Sequence, residues 1–332
     1  MQIPDAVHHS RILGVGAYRP ERVITNAEIV DKIDSSDEWI RERSGIISRH
    51  RAAPDESVID MAESAARQAM EYAGITGEQI DFVIMATVTH PYQTPAAAPE
   101  LAHRLGSNAP AIDISAACAG YCYGIGIASD MVRSGTAGHV LVIGVEKLSD
   151  FTDEYDRGTA FIFGDGAGAA VVGRSDFAGI SQTVWGSEGD KHETISQQPS
   201  WTDLRKSGVQ DSSAWPAIGM AGQAVFRWAV WGMAPVAQRA IDGAGITIND
   251  LDAFIPHQAN MRIIDAMAKQ LKLPADVPIA RDIATTANTS AASIPIATTR
   301  MLAEKEAPSG GLALQIGFGA GLVYAAQVIV LP

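Results

Sequence analysis

The sequence of 332 residues has few of the features that would assign it to a specialised class of protein. Its 2 cysteines are too few for the disulfide framework of a small secreted domain. Basic residues are in the minority, with 25 Lys and Arg against 38 Asp and Glu and a net charge of −13. Because nucleic acids bind to positively charged surfaces, this balance argues against nucleic acid as the main partner.

Long hydrophobic segments are also missing. No apolar run approaches the ~20 residues that a transmembrane helix needs, and the longest, at 140–145, has the length of a strand. The stretch MQIPDAVHHSRILGVGAY lacks the pattern of a signal peptide, which is a charged segment followed by an apolar one. Hydrophobic residues nevertheless make up 47% of the chain and charged residues only 19%, which excludes a disordered protein. We therefore expect a soluble, cytoplasmic enzyme with a large core and no membrane partner.

The chain contains an internal repeat. The segment AGITGEQIDFVI at 73–84 recurs as AGITINDLDAFI at 244–255, an offset of 171 residues with six of the twelve positions identical. A glycine cluster at 164–168, GDGAG, recurs as GFGAG at 317–321. A helical stripe of apolar residues precedes each copy of the first segment, and a short apolar run follows each copy of both. The order and spacing of these matches indicate a duplication.

Helical stripes alternate with strand-like runs along both copies. This alternation predicts an α/β fold with buried sheets. We place the two similar halves at 1–175 and 176–332, each of the βαβαβ type. Residues 186–216 are polar and irregular, and we expect a long loop there, at the surface or at the active site.

The glycine-rich segments do not predict a nucleotide site. A dinucleotide-binding fingerprint follows a strand and opens a helix, whereas both glycine clusters lead into strand-like runs, and Gly14-Val15-Gly16 lacks a third glycine. We expect these glycines to allow tight turns and close approaches of the backbone. The sequence has no G-x-S-x-G elbow of a serine hydrolase, and its 8 histidines show no zinc-ligand spacing, so no metal site is expected.

Cys118 is the candidate nucleophile. It follows the end of a predicted strand at 112–114 and begins a predicted helix over 118–133. The N-terminus of a helix offers free N–H groups and the positive end of the helix dipole, both of which stabilise a thiolate. A buried and inert thiol is the alternative for this position. We assign that packing role to Cys122, which is one helical turn later and badly placed for a disulfide with Cys118.

His257 and Asn288 are the other candidates for chemistry. His257 directly follows the second copy of the repeated strand, and Asn288 precedes a helix of small residues. With the offset of 171, Cys118 corresponds to position 289, beside Asn288. Two halves packed face to face would therefore bring these strand ends together as an acyl-transfer site. A purely structural histidine is the alternative for His257.

Five segments resemble the β-ketoacyl-acyl-carrier-protein synthase III family of thiolase-fold condensing enzymes. They are SSDEWI at 35–40, the stretch around Cys118, DRGT at 156–159, PHQAN at 256–260 and NTSAAS at 288–293. The resemblance implies a thiolase-like fold with α-β-α-β-α layers. It also implies that Cys118 takes a short straight or branched acyl group from an acyl-CoA. This acyl group is then condensed with malonyl-acyl carrier protein (malonyl-ACP), with loss of CO2, to initiate fatty acid biosynthesis.

The same resemblance assigns roles in catalysis. His257 and Asn288 would donate hydrogen bonds to the enolate oxygen that decarboxylation creates. Backbone N–H groups of Cys118 and of the Gly319-Ala320 turn would hold the oxyanion of the first step. No cofactor is implied, because acyl-CoA and malonyl-ACP are both substrates.

Further residues would bind the two substrates. Trp39 and Arg157 would sandwich the adenine of CoA, and Arg43 would meet its phosphates. Asn260 would contact the pantetheine arm. Without the resemblance, the alternative for Trp39 is a packing role that anchors a helix. The alternative for Arg157 is an ion pair at the surface or at an interface. Thr94 lies where the family has a residue, often from the partner subunit, that limits the acyl pocket, so its small side chain predicts room for branched or longer primers.

An acidic carrier protein needs a local basic patch on this acidic chain. Arg227, Arg262 and Lys269 are the candidates. Arg262 and Lys269 are seven residues apart on the predicted helix after His257 and therefore share a face. A solvated helix face is the alternative. The family also implies a homodimer.

One departure from the family pattern is visible. Ala287 stands where the family usually has glycine, which puts the shape of the malonyl site in question.

Three other functions have to be weighed. A thiolase would carry a second catalytic cysteine late in the chain, and none is present. A priming ketosynthase or acyltransferase of a polyketide pathway could share the whole scaffold and stays open. A non-catalytic subunit would not require Cys118, His257 and Asn288 together.

Overall fold

The structure, a computed structural model, describes residues 8–208 and 215–332. Its strands are β1 (His9–Tyr18), β2 (Arg22–Thr25), β3 (Ser48–Arg51), β4 (Phe82–Ala86), β5 (Ala111–Ile114), β6 (His139–Glu146), β7 (Gly166–Ser175), β8 (Val184–Ser187), β9 (Ile195–Gln198), β10 (Ala217–Met220), β11 (Ala253–Pro256), β12 (Leu312–Gly319) and β13 (Val323–Val330). Its helices are α1 (Asp37–Ser44), α2 (Val58–Ala73), α3 (Ala97–Arg104), α4 (Gly120–Arg133), α5 (Trp201–Ser207), α6 (Gly222–Gly243), α7 (Met261–Leu271), α8 (Ile283–Thr286) and α9 (Ser293–Ala303). No helix within the described ranges is long and apolar enough to span a membrane.

Two sheets share one strand order. In the first, the order is β1-β7-β6-β4-β5, with β6, β4 and β5 parallel and β7 antiparallel to both of its neighbours. In the second, the order is β8-β13-β12-β11, with β12 and β11 parallel and β13 antiparallel to both neighbours. The counterpart of β5 is reduced to a parallel bridge between Phe254 and Ile279. A duplicated unit predicts this shared topology. The boundary that we placed between the two halves, at residues 175 and 176, stays a prediction.

Helices cover both faces of both sheets. α2 and α3 pack on the outer face of the first sheet, and α6 and α7 pack on the outer face of the second. α4 and α9 lie between the sheets, in a core that includes Ile125 and Ile294. The predicted α/β fold with α-β-α-β-α layers is therefore confirmed. The layering buries the parallel strands on both faces, which explains their continuous apolar sequences.

The first glycine pair of the sequence lies on β1 beneath α2. A β-carbon at Gly14 would lie 2.4 Å from the carbonyl oxygen of Ala69, and one at Gly16 would lie 2.3 Å from that of Ala65. Both distances are far below van der Waals contact, so only glycine fits. These residues allow the helix to pack directly on the strand, which is the close approach expected from the sequence.

The polar segment 186–216 is not the single long loop that we expected. It contains β9 and α5, and β9 pairs with β10 in antiparallel orientation, while residues 209–214 lie outside the described residues. The strands are only 4 residues long, too short for a periodic pattern to reveal them. Ile195, Gln197 and Trp201 line the cavity of the candidate site. The segment therefore belongs to the active-site region.

Candidate active site

Cys118 lies in the turn that connects β5 to α4. The turn is a 3-10 helix over Ala117–Ala119, so α4 begins at Gly120 and not at Cys118 as the sequence suggested. Ala117 has a φ of +43°, a left-handed value that a residue other than glycine adopts only when its surroundings enforce it. The turn places Cys118 just before the N-terminus of α4, where the helix dipole is positive.

Two glycines of β12 allow this turn to pack against the second sheet. A β-carbon at Gly319 would lie 2.9 Å from Cβ and 3.0 Å from Sγ of Cys118, and one at Gly317 would lie 3.0 Å from the Cys118 carbonyl oxygen. Glycine is therefore required where the strand passes the thiol. The next residue, Ala320, lines the same cavity as Cys118.

The second half has an equivalent turn before α9. Its first residue, Ser290, has a φ of +49°, which matches the +43° of Ala117 in the first half. Ala291 is therefore the structural equivalent of Cys118, two residues beyond the position that the sequence offset indicated. The two turns meet in one cavity, which Cys118 and Ser290 both line.

His257 directly follows β11 and is almost completely buried, with 1% exposure. Its Nδ1 lies 2.7 Å from the hydroxyl oxygen of Ser293, which also accepts a hydrogen bond from the backbone N–H of Gln258 at 3.3 Å. The Ser293 hydroxyl proton has no other acceptor among the described residues, so it points to Nδ1 of His257. The imidazole proton then resides on Nε2, which is the tautomer that can donate into the cavity.

Burial lowers the pKa of His257 to about 3. The imidazole packs edge to face against Phe318, with the ring centroids 5.4 Å apart. Such an apolar neighbour disfavours a charged imidazolium. His257 is therefore neutral at physiological pH, and it is suited to donate a hydrogen bond without transferring a proton.

Asn288 is held in place by both its backbone and its side chain. Its backbone N–H donates to Ile162 at 2.9 Å, and its carbonyl accepts from Gly164 at 3.0 Å. Its side-chain oxygen accepts from the backbone N–H of Ser290 at 2.8 Å. Because the oxygen is engaged, the amide nitrogen is the end available to the cavity. Asn288 thus provides a second uncharged donor.

Ala287, the departure from the family pattern, has an unusual backbone conformation. Its φ is +56° and its ψ is −161°, a region that is accessible almost only to glycine. The residue is fully buried. An alanine thus occupies a glycine conformation, and the resulting strain is located directly before Asn288.

An open cavity of about 1390 Å³ joins these groups, with Cys118, His257, Asn288 and Ala320 in its lining. Several of the residues predicted to bind substrates also line it, namely Trp39, Arg43, Arg227, Asn260 and Arg262. Three others do not, namely Thr94, Arg157 and Lys269. Within the described ranges, no group of three or more His, Cys, Asp or Glu is arranged to hold a metal ion.

Trp39 lies on α1 between two arginines. The guanidinium carbon of Arg157 lies 5.0 Å from the centroid of the indole ring, and that of Arg43 lies 5.7 Å away. Arg157 therefore reaches Trp39 although it does not line the cavity. Its guanidinium covers the indole, so an adenine ring that entered between the two would have to move Arg157 aside.

Asn260 caps the N-terminus of α7. Its Oδ1 accepts from the N–H of Arg262 at 2.9 Å, and its Nδ2 donates to the carbonyl of Arg43 at 3.0 Å. Both polar ends of the side chain are therefore engaged. Asn260 links α7 to α1 and so fixes two cationic residues of the cavity relative to each other.

Arg227 and Arg262 come from different helices and both line the cavity. The guanidinium carbon of Arg262 lies 5.0 Å from the ring centroid of Phe226, the neighbour of Arg227 on α6. Lys269 is exposed farther along α7. Asp265 is also exposed between Arg262 and Lys269, so this helix face carries both signs of charge.

Thr94 does not reach the cavity of its own chain. It is exposed, whereas the preceding residues Tyr92 and Gln93 line the cavity. A role for Thr94 in the acyl pocket of a partner subunit stays a prediction.

Cys118 is partly exposed in the cavity, yet desolvation by the surrounding protein raises the pKa of its thiol to about 12. A hydrogen bond with the Ser290 hydroxyl lowers this pKa, and the nearby Glu146 carboxylate raises it. The N-terminus of α4 also favours the thiolate, but burial has the larger effect. The position at a helix start predicted a stabilised thiolate, whereas the raised pKa favours the protonated thiol at rest. Any reaction in which it is the nucleophile therefore requires a proton acceptor.

Cys122 is completely buried in the core between the two sheets. Burial raises the pKa of its thiol to about 12. It does not line the cavity, and its position agrees with the packing role that we assigned to it.

Glu146 is a buried acid that the sequence analysis missed. It ends β6 and has no exposed surface. Its carboxylate accepts hydrogen bonds from four donors, the hydroxyls of Thr89 at 2.7 Å, Thr87 at 3.2 Å and Ser290 at 3.2 Å and the N–H of Val88 at 3.0 Å. Burial raises the pKa of Glu146 to about 7, against the opposite effect of these hydrogen bonds. A single acidic residue at the end of an apolar strand was the signal that could have revealed it.

The family relationship is visible in the sequences of known proteins. Residues 112–189 match the family described as 3-Oxoacyl-[acyl-carrier-protein (ACP)] synthase III, and residues 241–331 match its C-terminal part. The chain is 60% identical over 325 residues to the beta-ketoacyl-[acyl-carrier-protein] synthase III of Streptomyces glaucescens, an alignment that covers 98% of this chain and 97% of that protein.

Solved structures extend this similarity to the fold. The priming beta-ketosynthase from the R1128 polyketide biosynthetic pathway has a TM-score of 0.96 and 45% identity, with 100% of this chain and 98% of that chain covered. The 3-oxoacyl-[acyl-carrier-protein] synthase III from Aquifex aeolicus VF5 has a TM-score of 0.88 and 37% identity, with 97% and 99% covered. The predicted resemblance is confirmed along nearly the whole chain, which belongs to the 3-oxoacyl-[acyl-carrier-protein] synthase III family.

Proposed function

We propose that the protein transfers a short acyl group from acyl-CoA to Cys118 and condenses it with malonyl-ACP, which initiates fatty acid biosynthesis. The observation that carries this proposal is the convergence of Cys118, His257 and Asn288 on one cavity. A thiol from the first half meets two uncharged donors from the second. A non-catalytic subunit has no need of this combination. The proposed reaction consumes two substrates and needs no metal or cofactor.

In the first step, the sulfur of Cys118 attacks the thioester carbon of the acyl-CoA. Negative charge develops on the carbonyl oxygen, and we assign the backbone N–H groups of Cys118 and Ala320 as its donors. The close approach of Gly319 to Cys118 supports this pairing. A positioned donor of this kind lowers the barrier by ~3–4 kcal/mol. CoA leaves, and Cys118 carries the acyl group as a thioester.

In the second step, malonyl-ACP loses CO2 and the electron pair of the broken bond forms an enolate. Nε2 of His257 and Nδ2 of Asn288 donate hydrogen bonds to the enolate oxygen. Because the pKa of His257 is about 3, the imidazole stabilises the enolate without protonating it. The carbanion therefore survives to attack the acyl thioester on Cys118.

The charge distribution supports a CoA substrate and an acidic carrier. The net charge of the chain is −13, yet Arg43, Arg227 and Arg262 all line the cavity. We propose that Trp39 and Arg157 hold the adenine and that Arg43 meets the CoA phosphates. Arg227 and Arg262, with Lys269 beyond the cavity, would guide the acyl carrier protein by charge complementarity. The proposed contact of Asn260 with pantetheine is limited by its two existing hydrogen bonds.

We also propose that the protein is a cytoplasmic homodimer. β5 is an edge strand of the first sheet, and Ile112 on this strand is 41% exposed. An exposed apolar edge strand is a template for pairing with another strand. A second copy paired along β5 would extend the sheet. This arrangement would also allow Thr94 to contribute to the acyl pocket of the partner.

A priming ketosynthase of a polyketide pathway is the second candidate. The observation in its favour is the similarity to the R1128 priming beta-ketosynthase, with a TM-score of 0.96. Both candidates share the acyl-Cys118 intermediate. They differ in the primer that is accepted and in the carrier protein that supplies the malonyl group.

The test is a panel of radiolabelled straight and branched acyl-CoA primers, from acetyl to hexanoyl, assayed with malonyl-ACP from the fatty acid pathway and from a polyketide pathway. We expect a β-ketoacyl-ACP product with release of CO2, and label on Cys118 but not on Cys122. An ester or an amide as the only product would identify an O- or N-acyltransferase and contradict the condensing activity. Preference for the polyketide carrier would support the second candidate.

A further inference from the structure

Cys118 requires a proton acceptor, and two buried groups lie near enough to be considered. His257 is engaged at Nδ1 by the Ser293 hydroxyl at 2.7 Å and carries its proton on Nε2. It therefore presents a donor to the cavity and has no free nitrogen lone pair for the thiol proton. Glu146, an acceptor with two oxygens, is the alternative.

Ser290 connects Glu146 to the thiol. Its hydroxyl donates to Oε1 of Glu146 at 3.2 Å. Ser290 and Cys118 line the same cavity, and the hydroxyl lies close enough to the sulfur to influence the pKa of the thiol. The backbone of Ser290 is fixed by a φ of +49° and by the hydrogen bond from its N–H to Asn288. The hydroxyl is therefore held between an acid and a thiol, where it can accept one proton while it donates another.

From this geometry we infer that Glu146, through Ser290, takes the thiol proton of Cys118 and holds it for as long as the acyl-enzyme exists. The inference rests on the proposed role of Cys118 as the nucleophile. Glu146 does not touch the substrate. It is a positioning residue, which acts on the reacting sulfur through the Ser290 hydroxyl.

The proton balance covers both half-reactions. As the sulfur–carbon bond to the acyl group forms, the thiol proton moves to Oγ of Ser290, and the hydroxyl proton of Ser290 moves to Oε1 of Glu146. The bond between the acyl carbon and the CoA sulfur breaks, and CoA leaves as a thiolate that takes a proton from solvent. When the malonyl carbanion later displaces Cys118, the thiolate recovers its proton from Glu146 along the same path. One proton is consumed from solvent in each cycle, as decarboxylation of a malonyl carboxylate requires.

The environment of Glu146 suits both of its protonation states. Four hydrogen-bond donors stabilise the carboxylate, whereas complete burial favours the neutral acid. The two effects place the pKa at about 7, so neither state is strongly excluded. Cys118 is a titratable group close enough to Glu146 for the carboxylate charge to raise the pKa of the thiol. The ammonium of the adjacent Lys147 points away, to the carbonyls of Ala53 and Pro54 and to Asp150.

Single-turnover acylation with acetyl-CoA tests the inference in the full-length protein. In wild type, the acylation rate is expected to rise with pH through about 7, because Glu146 must be ionised to accept the proton. Glu146→Gln and Ser290→Ala are each expected to lower the rate by ~10²-fold or more, as loss of a proton acceptor does. Both variants are expected to lose the pH dependence. Asp165→Asn is the matched control, because it neutralises another buried carboxylate that hydrogen-bonds to Ser149 and Ala52 instead.

A spectroscopic measurement on wild type does not depend on how well a variant folds. Difference infrared spectra recorded on acylation are expected to show a new carbonyl band of a protonated carboxylic acid. Acylation at the wild-type rate in Glu146→Gln, or an acyl-enzyme without this band, would overturn the inference. Neither result would affect the proposed function, which is tested separately by the label on Cys118 and by formation of a β-ketoacyl-ACP product in wild type.

Discussion

The two halves of the molecule contain the same strand-to-helix turn but supply different chemistry. The first half has Ala117 at a φ of +43° followed by Cys118, and the second has Ser290 at +49° followed by Ala291. The first half presents a thiol with a buried carboxylate behind it, whereas the second presents uncharged hydrogen-bond donors. The strained turn is therefore a property of the repeated fold, and the chemistry depends on which residues each copy places around it.

Glycines make the contact between the halves reciprocal. A β-carbon at Gly144 on β6 would lie 2.2 Å from the carbonyl oxygen of Ala291, and one at Gly317 on β12 would lie 3.0 Å from that of Cys118. Each half thus uses a glycine of a central strand to accept the turn of the other. Because the candidate site forms at this contact, neither half could provide it alone.

The strongest test of the comparison makes the first turn resemble the second. Cys118→Ala places on the first turn the residue that the second turn already has. We expect it to abolish the acyl-enzyme and to lower condensation by at least ~10³-fold, because the nucleophile is lost. Decarboxylation of malonyl-ACP is expected to continue, because both donors of the second half are intact. Label transfer from acetyl-CoA and release of CO2 measure the two activities separately.

Cys122→Ala is the matched control for this substitution. It removes the other thiol, on the same helix but inside the core, and is expected to reduce stability while leaving acyl-enzyme formation in place. Label retained by the Cys118→Ala variant would show that the first half does not supply the nucleophile.

The next test removes a donor from the second half. Asn288→Ala is expected to lower malonyl decarboxylation by ~10²–10³-fold, the usual effect of losing one oxyanion donor. Acylation of Cys118 is expected to change much less, because the first step uses backbone donors. Asn249→Ala changes an exposed asparagine outside the cavity and serves as the control. Equal losses in both half-reactions would contradict the division of labour between the halves.

A smaller effect is expected where the second half orients its histidine. Ser293→Ala removes the hydroxyl that lies 2.7 Å from Nδ1 of His257, so the Nε2–H tautomer is no longer enforced. Loss of about one hydrogen bond, ~1 kcal/mol, predicts a decarboxylation rate lowered by roughly fivefold. Ser293→Thr keeps the hydroxyl and is expected to restore most of the rate. Nitrogen NMR of His257 reports the tautomer, and an unchanged tautomer in Ser293→Ala would refute this role.

The sequence pattern predicted the α/β fold and brought the right strand ends together, and the family resemblance implied the layering. The repeated segment located equivalent strands in both halves, and two halves packed face to face bring such strand ends together, so Cys118 and His257 could be placed in one site before any contact was known. The offset failed only by two residues at the second turn. It was measured between strands, and the connections from strand to turn differ in length between the halves.

The sequence could not show how strongly the surrounding protein desolvates the thiol. A helix start suggested an activated Cys118, but the pKa depends on depth and on Glu146, which is 28 positions away and contacts the site through Ser290. Side-chain networks of this kind join residues that are distant in sequence.

The smallest effect concerns a strain that only the second half contains. Ala287 has a φ of +56° and a ψ of −161°, whereas its counterpart in the first half, Ile114, ends β5 with an ordinary strand conformation. Such a conformation costs a residue other than glycine ~1–3 kcal/mol. Ala287→Gly removes that strain, and the greater freedom of glycine in the unfolded chain offsets ~0.5–1 kcal/mol of the gain. We therefore expect the free energy of unfolding to rise by ~1 kcal/mol, measured as a higher urea midpoint.

The same substitution three residues earlier provides a control of opposite sign. Ala284 lies within α8 and is not among the residues with positive φ, so Ala284→Gly is expected to lower the free energy of unfolding by ~1 kcal/mol. If Ala287→Gly lowers it equally, the backbone before Asn288 is not strained. If it raises stability but slows decarboxylation, the strain contributes to the position of the Asn288 donor. That outcome would add a further difference between the halves. Only the second half, which supplies the hydrogen-bond donors, would then depend on strained backbone directly before its turn.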